Sequence, residues 1–391
     1  MLQEDFLSQA LSRRLADESL RRLQLPPARV DFCSNDYLGL ARSEALGDAA
    51  QAILTHVPPL HGSGGSRLLA GNYPLIEEAE QRIAALHDAG AGLLFNSGYD
   101  ANVGLFASVP QKGDFVIHDQ LIHASILDGI RLSDAQRLSF RHNDLAHLEQ
   151  KLFFAKEKGR NVFVAVESVY SMDGDAAPLT QIAALCAREG AYLIVDEAHA
   201  TGVCGPRGMG LVQAYGLEQQ CFARVHTFGK AVGCNGAIVL GSPVLKEYLV
   251  NFARSFIYTT ALPPMAIATI LASYLLFPGM DGQRAHLQLL IHRFREALPV
   301  RLLLASDTAI QIVKTPGNQR ARALAHRLQQ AGLDVRAILH PTVARGAERL
   351  RVVLHAFNTV EEVDLLTSIV ADEVSDTTAA EERADAGSIN D

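Results

Sequence analysis

The sequence predicts an α/β protein. A mixed, mostly parallel sheet forms a large domain, and a smaller α+β domain follows it. Three observations lead to this reading. Short apolar runs recur between residues 91 and 240 and alternate with helical stretches. Several of these runs stop at a polar, reactive residue: 115–117 at His118-Asp119, 162–166 at Glu167, 191–195 at Asp196, and 224–228 just before Lys230. Open α/β sheets carry this pattern, because their ligands bind beyond the strand ends. After about residue 278 the alternation gives way to a mixed order of helices and strands.

In chain order, residues 3–24 read as an amphipathic helix with Arg13, Arg14, Arg21 and Arg22 on its wet side, ended by Pro26-Pro27. A short strand at 30–33 leads into Ser34-Asn35-Asp36-Tyr37-Leu38-Gly39. Residues 61–67 form a glycine-rich loop, and 74–87 a helix with Ile76, Ala79, Ile83 and Leu86 on one face. Strand 91–95, turn 96–99 and helix 101–108 follow, and 237–240 is a later strand. In the C-terminal part, 284–298, 320–331 and 360–374 read as helices, and 309–313, 335–339 and 350–354 as strands. The expected domains are therefore 1–50 (N-terminal helix and strand), 51–278 (large) and 279–374 (small). The acidic, apolar-poor tail 375–391 is expected to be disordered.

Composition narrows the function. At 391 residues and 48% hydrophobic content the chain exceeds one ordinary core. A formal net charge of -8 argues against a general nucleic-acid binder. No apolar run is long enough to span a bilayer, and the charged N-terminus has no signal-peptide core, so a membrane role is not expected. Five cysteines without a CxxC pair fit reduced thiols, a cytoplasmic location and no metal site.

The chemistry concentrates in two segments. His226-Thr227-Phe228-Gly229-Lys230 places one lysine among small and apolar neighbours. Such surroundings lower an amine's pKa, as a Schiff-base lysine requires. Asp196-Glu197-Ala198-His199 places a carboxylate and an imidazole at the end of a buried strand. The same four residues occur in a class of helicases, but those need an upstream GxxxxGK[ST] loop, which the chain lacks. Lysine and acid together suit pyridoxal 5'-phosphate (PLP). The lysine joins the cofactor aldehyde, and the acid keeps the ring nitrogen protonated. Ser97-Gly98-Tyr99, between a strand and a helix, offers backbone donors to a phosphate. Thr227 and Ser171 can add hydroxyl donors, and His199 can reach the ring hydroxyl. His123, just past a strand end, suits a ring stacked on the cofactor face. Arg351 alternates with apolar residues, so it either faces solvent or offers its planar fork to a carboxylate, and Arg349 shares its parity.

As an ordered set, these segments resemble the α-oxoamine synthase family of fold type I PLP enzymes. The match runs from about residue 30 to 360, through Ser34–Leu40, Gly62–Arg67, Asn96–Tyr99, Asp119–Ser125, Glu167–Gly174, Asp196–Gly202 and Thr227–Gly233. Within the family the branch serving biotin biosynthesis is the most similar. The resemblance implies a PLP-dependent acyltransferase that condenses L-alanine with a pimeloyl thioester, on coenzyme A or a carrier protein, releasing carbon dioxide and the thiol. Sister activities, with glycine and an acetyl thioester or serine and a long-chain thioester, are the alternative. Lys230, His123, Asp196 and His199 are the implied catalytic residues. Ser97, Gly98, Tyr99, Ser171, Thr227, Thr259 and Thr260 are implied to bind cofactor alongside them. Thr259 and Thr260 match a segment that reaches the phosphate of a partner subunit, which implies a homodimer. Arg21 or Arg22, Asn35, His123, Thr342 and Arg351 are implied to meet substrate. The chain departs from the family at His340-Pro341-Thr342-Val343-Ala344, where the family has Pro-Pro-Thr-Val-Pro, and in a short segment before Ser34.

Overall fold

The computed structural model describes residues 4–17, 19–23 and 29–387, with side chains as far as residue 373. It divides into two compact units. The larger comprises 35–286 and 355–357, and the smaller 1–34, 287–354 and 358–391. The boundary differs from the sequence expectation in two ways. The division falls inside helix Asp281–Ala297, and residues 1–34 join the C-terminal unit. The reason is strand pairing at long range: Val30–Asp31 lies parallel to Leu333–Asp334, and the Val353 amide donates to the Phe32 carbonyl.

The larger unit is built on one seven-stranded sheet. Its strands are β1 (Ala91–Phe95), β2 (Phe115–Asp119), β3 (Gln136–Phe140), β4 (Val162–Glu167), β5 (Tyr192–Asp196), β6 (Cys221–Thr227) and β7 (Ala237–Gly241). Their spatial order is β1-β7-β6-β5-β4-β2-β3. Only β7 runs antiparallel to its neighbours, β1 and β6. The others pair in parallel. Side-chain alternation feeds two cores. Phe163, Ala165 and Ile194 pack on one face with Leu105, Ile126 and Leu249, while Val164, Val166 and Val195 pack on the other with Leu148, Ile182 and Cys186. Burial on both faces explains why these strands read as continuous apolar runs.

The helices of this unit include α1 (Pro74–Leu86), α2 (Gly98–Ser108) and α3 (Ala124–Leu132), and the last two border the site. Pro74 occupies the first turn of α1, where its missing N–H costs nothing. Ser97 caps α2 by accepting the Asp100 amide, and His123 caps α3 by accepting the Ser125 amide.

The smaller unit holds a three-stranded antiparallel sheet. Its strands are β8 (Ile310–Lys314), β9 (Arg336–Ile338) and β10 (Arg349–Val353), in the order β9-β10-β8. Helices Asn318–Gln330 and Val360–Gly387 belong with it. Two expectations change here. The N-terminal helix covers Asp5–Ala16 rather than 3–24 and buries no side chain, leaving Phe6, Leu11 and Leu15 exposed. The Pro26-Pro27 stop lies outside the described residues. The tail expected to be disordered continues the last helix as far as Gly387. Alanine, glutamate and arginine dominate 379–386, and these are strong helix formers. Residues 388–391 lie outside the described residues. Among the described residues, no single helix is long and apolar enough to cross a membrane.

Candidate active site

A cavity of about 240 Å³ opens at the carboxyl ends of β4, β5 and β6. Lys230 lies three residues past β6, and its Nζ donates to Thr227 Oγ1 at 3.2 Å. Phe228, Ala231 and Val232 around it are fully buried, which holds this short turn in place. Asp196, the last residue of β5, is 5% exposed. Its Oδ2 accepts from Asn102 Nδ2 at 2.8 Å, and its Oδ1 from the Ala198 amide at 2.9 Å. These two donors satisfy both oxygens of the buried carboxylate and fix its orientation.

His123 and His199 both line the cavity. The Ser125 amide and hydroxyl lie at 3.2 and 2.7 Å from His123 Nδ1. Because the amide can only donate, Nδ1 is the acceptor nitrogen of that ring. Burial lowers the His123 pKa and Lys230 lowers it further, against Asp196, which raises it. His123 is therefore a neutral ring, suited to lie on an aromatic face. The Tyr37 hydroxyl lies 2.6 Å from His199 Nδ1 and fixes that ring from the loop after Asn35. Asn102 and the Ala198 amide hold the Asp196 carboxylate.

The start of α2 forms one wall. Ser97, Gly98 and Tyr99 all line the cavity, and the first amides of a helix have no partner within it. A Cβ on Gly98 would lie 2.5 Å from Thr227 Cγ2, so only glycine allows this approach. The residues present thus fit PLP: an amine for its aldehyde, an anion for its ring nitrogen, and free amides with a bare backbone for its phosphate.

Of the sequence candidates, Asn35, Ser97, Gly98, Tyr99, His123, Asp196, His199, Thr227 and Lys230 share this cavity. Ser171 is not on its wall, but its amide donates to Glu167 Oε2, and Glu167 is. Thr259 and Thr260 also lie off the wall, held by Asn96 Nδ2 through the Thr259 hydroxyl and the Thr260 carbonyl at 2.9 and 2.7 Å. Arg21, Thr342 and Arg351 belong to the smaller unit. Arg21 and Thr342 line one cavity there, together with Arg14, Arg322 and Arg336. Arg22 is not on its wall. Arg351 and Arg349 are both half-buried on β10, and Arg349 Nε donates to the Ala347 carbonyl.

Sequence reasoning missed Asn102, Ser125, Glu167 and Asn235, which also line the site. Glu167 carried a signal, since it ends an apolar strand as Asp196 does. Asn102 carried none, because a polar residue within a helix reads as a solvated face.

Comparison with known proteins gives the family and the cofactor. The model of the aminotransferase class I and II family matches residues 28–369. The chain is 48% identical to an 8-amino-7-oxononanoate synthase of Emericella nidulans, over 94% of this chain and 95% of that one. The solved 8-amino-7-oxononanoate synthase of Francisella tularensis superposes with a TM-score of 0.77 at 29% identity, covering 90% of this chain and 99% of that one. A serine palmitoyltransferase from S. paucimobilis, solved with PLP and myriocin bound, gives 0.85 at 27% identity over 96% and 98% of the two chains. This chain belongs to the aminotransferase class I and II family, as a PLP-dependent enzyme of fold type I.

Proposed function

We propose that the enzyme is an α-oxoamine synthase that joins L-alanine to a pimeloyl thioester, yielding 8-amino-7-oxononanoate, carbon dioxide and free thiol, for biotin biosynthesis. One observation carries the reading. A lysine amine and a doubly hydrogen-bonded aspartate share one cavity, in a chain 48% identical to a synthase of that name. The long-chain alternative rests on serine palmitoyltransferases at 27% identity and is less well supported.

When bound, PLP supplies an aldehyde for the substrate amine and a ring that withdraws electrons from the amino acid's Cα. The chain's residues do the rest. Lys230 Nζ holds the cofactor and, once displaced by alanine, is the base for the Cα proton. Asp196 keeps the proton on the ring nitrogen. Gly98 and Tyr99 amides, with Ser97, hold the phosphate at the α2 N-terminus. Thr227, Ser171 and His199 contact the cofactor, and neutral His123 lies on its face and meets the substrate. Asn35 lines the substrate side. Arg351 takes the alanine carboxylate in its planar fork, while Arg21 and Thr342 receive the acyl donor. The bonds balance: Cα bonds to the acyl carbon, the C–S bond breaks to release thiol, and the Cα–carboxylate bond breaks to release carbon dioxide. The proton taken from Cα is replaced by one delivered to it after decarboxylation.

The assembly follows the same reading. A homodimer brings Thr259 and Thr260 to the phosphate of the partner's site, and the five free thiols suit a cytoplasmic location. Incubating the holoenzyme with alanine and pimeloyl thioester, then identifying the product by mass spectrometry, tests the proposal. Formation of 8-amino-7-oxononanoate supports it. Preference for glycine with acetyl thioester, or serine with palmitoyl thioester, would replace it with a sister activity.

A further inference from the structure

Glu167 ends β4 and is the register partner of Asp196 at the end of β5. It is 3% exposed and lines the cavity, yet none of the roles above uses it. Its Oε2 accepts the Ser171 amide at 3.2 Å, and the His123 amide also bears on the carboxyl group. Its Oε1 is buried with no hydrogen-bond partner among the described residues. The carboxyl thus stands where two separate segments meet, one carrying His123 and the other Ser171.

We infer that Glu167 is a positioning residue of this site: its carboxyl gathers the backbone at His123 and at Ser171 onto one point and holds both segments against the cavity. It does so as a neutral acid. Two nearly buried carboxyl groups at register-paired strand ends disfavour each other's charge. Both oxygens of Asp196 accept a hydrogen bond, whereas Glu167 Oε1 accepts none, so the unsatisfied oxygen of the pair belongs to Glu167. Burial first, and then Asp196, push the Glu167 carboxyl well above the usual carboxylate range, against the amides of Ser171 and His123 and the charge of Lys230. Tyr170, a further ionisable neighbour, is itself held neutral by burial first and then by Asp119. The proton belongs on Oε1, the oxygen that accepts nothing.

The inference rests on the cavity being the cofactor site, but its direct readout does not. Hydrogen exchange is followed by mass spectrometry on the protein as isolated, for wild type, Glu167→Gln and Glu167→Ala, alongside PLP titration after dialysis. Glutamine keeps the acceptor and is always uncharged. Its exchange in 119–127 and 168–175, its PLP affinity and the pH profile of that affinity should match wild type. Alanine removes the acceptor. Exchange should rise about tenfold in both segments and in no others, with PLP bound about tenfold more weakly, the effect of losing roughly one hydrogen bond. Wild-type exchange in the alanine variant would overturn the clamp. Fast exchange in the glutamine variant would overturn the neutral form. If the alanine variant does not fold, the glutamine variant decides alone: wild-type exchange supports the proposal and faster exchange overturns it. A wild-type protein that takes up no PLP would refute the cofactor reading and leave the exchange result standing.

Discussion

Gly98→Ala tests the proposed phosphate cradle at a single atom. The added Cβ would sit 2.5 Å from Thr227 Cγ2, and Thr227 Cβ is only 3.5 Å away. Ordinary carbon contacts lie at roughly 3.5–4.0 Å, so one partner must move by about 1 Å. Thr227 cannot turn aside easily. It is β-branched, and its Oγ1 is engaged by Lys230 Nζ. Gly98 itself opens α2, so the movement would shift the free amides off the phosphate position. Overpacking of this kind costs about 1–3 kcal/mol, or roughly 5- to 150-fold in PLP affinity. The assay is equilibrium PLP titration of dialysed protein, read by cofactor absorbance. Thr227→Ser removes Cγ2 and keeps the hydroxyl, so the double variant should recover most of the loss. The steric reasoning fails if Gly98→Ala binds PLP as wild type does, or if the serine change gives no recovery.

Three further predictions follow from other groups. Lys230→Ala should abolish turnover and remove the borohydride-trappable link to the cofactor, while still binding PLP weakly; trapping at wild-type level would refute the lysine assignment. His142 bonds Asp119 and Asp175 at 2.9 and 2.8 Å, and although burial opposes its charge, these two partners raise its pKa from 6.5 to about 10. Because the folded value lies above the unfolded one, the stability it contributes is complete below 6.5 and is lost as pH rises toward 10. Thermal melts should show this fall in wild type and a shallower one in His142→Asn; equal slopes would count against it. Glu80 is 1% exposed and accepts from Arg67, Lys246 and the Leu94 amide. Glu80→Ala strands Arg67 and should cost about 3–5 kcal/mol in urea unfolding, a buried pair losing one partner. A loss below 1 kcal/mol would mean the group is better hydrated than its burial indicates.

Much of the site was legible because its residues sit at places that local pattern marks. Asp196 ends a strand whose four other residues are nearly all apolar, and Lys230 follows a run of buried residues. The start of α2 was visible from Ser97-Gly98, since serine caps and glycine permits close approach. Asn102 and Ser125 were not visible. Their bond to each other at 3.0 Å, and that of Asn102 to Asp196, depend on how α2 and α3 pack, which no local spacing encodes. The N-terminal helix was overextended for a related reason. Its apolar residues suggested a buried face, but none of them is buried in the chain.

From the sequence alone came the alternation of strands and helices, the residues that end each strand, and the lysine and carboxylate proposed to hold the cofactor. These follow from periodicity and residue type, which act over a few positions of chain. Only the tertiary structure decided that β7 runs against its neighbours, that residues 1–34 join the C-terminal unit, and that Glu167 and Asp196 stand side by side. Those outcomes depend on pairing between segments far apart in sequence, where the deciding energy is the burial of two distant surfaces together.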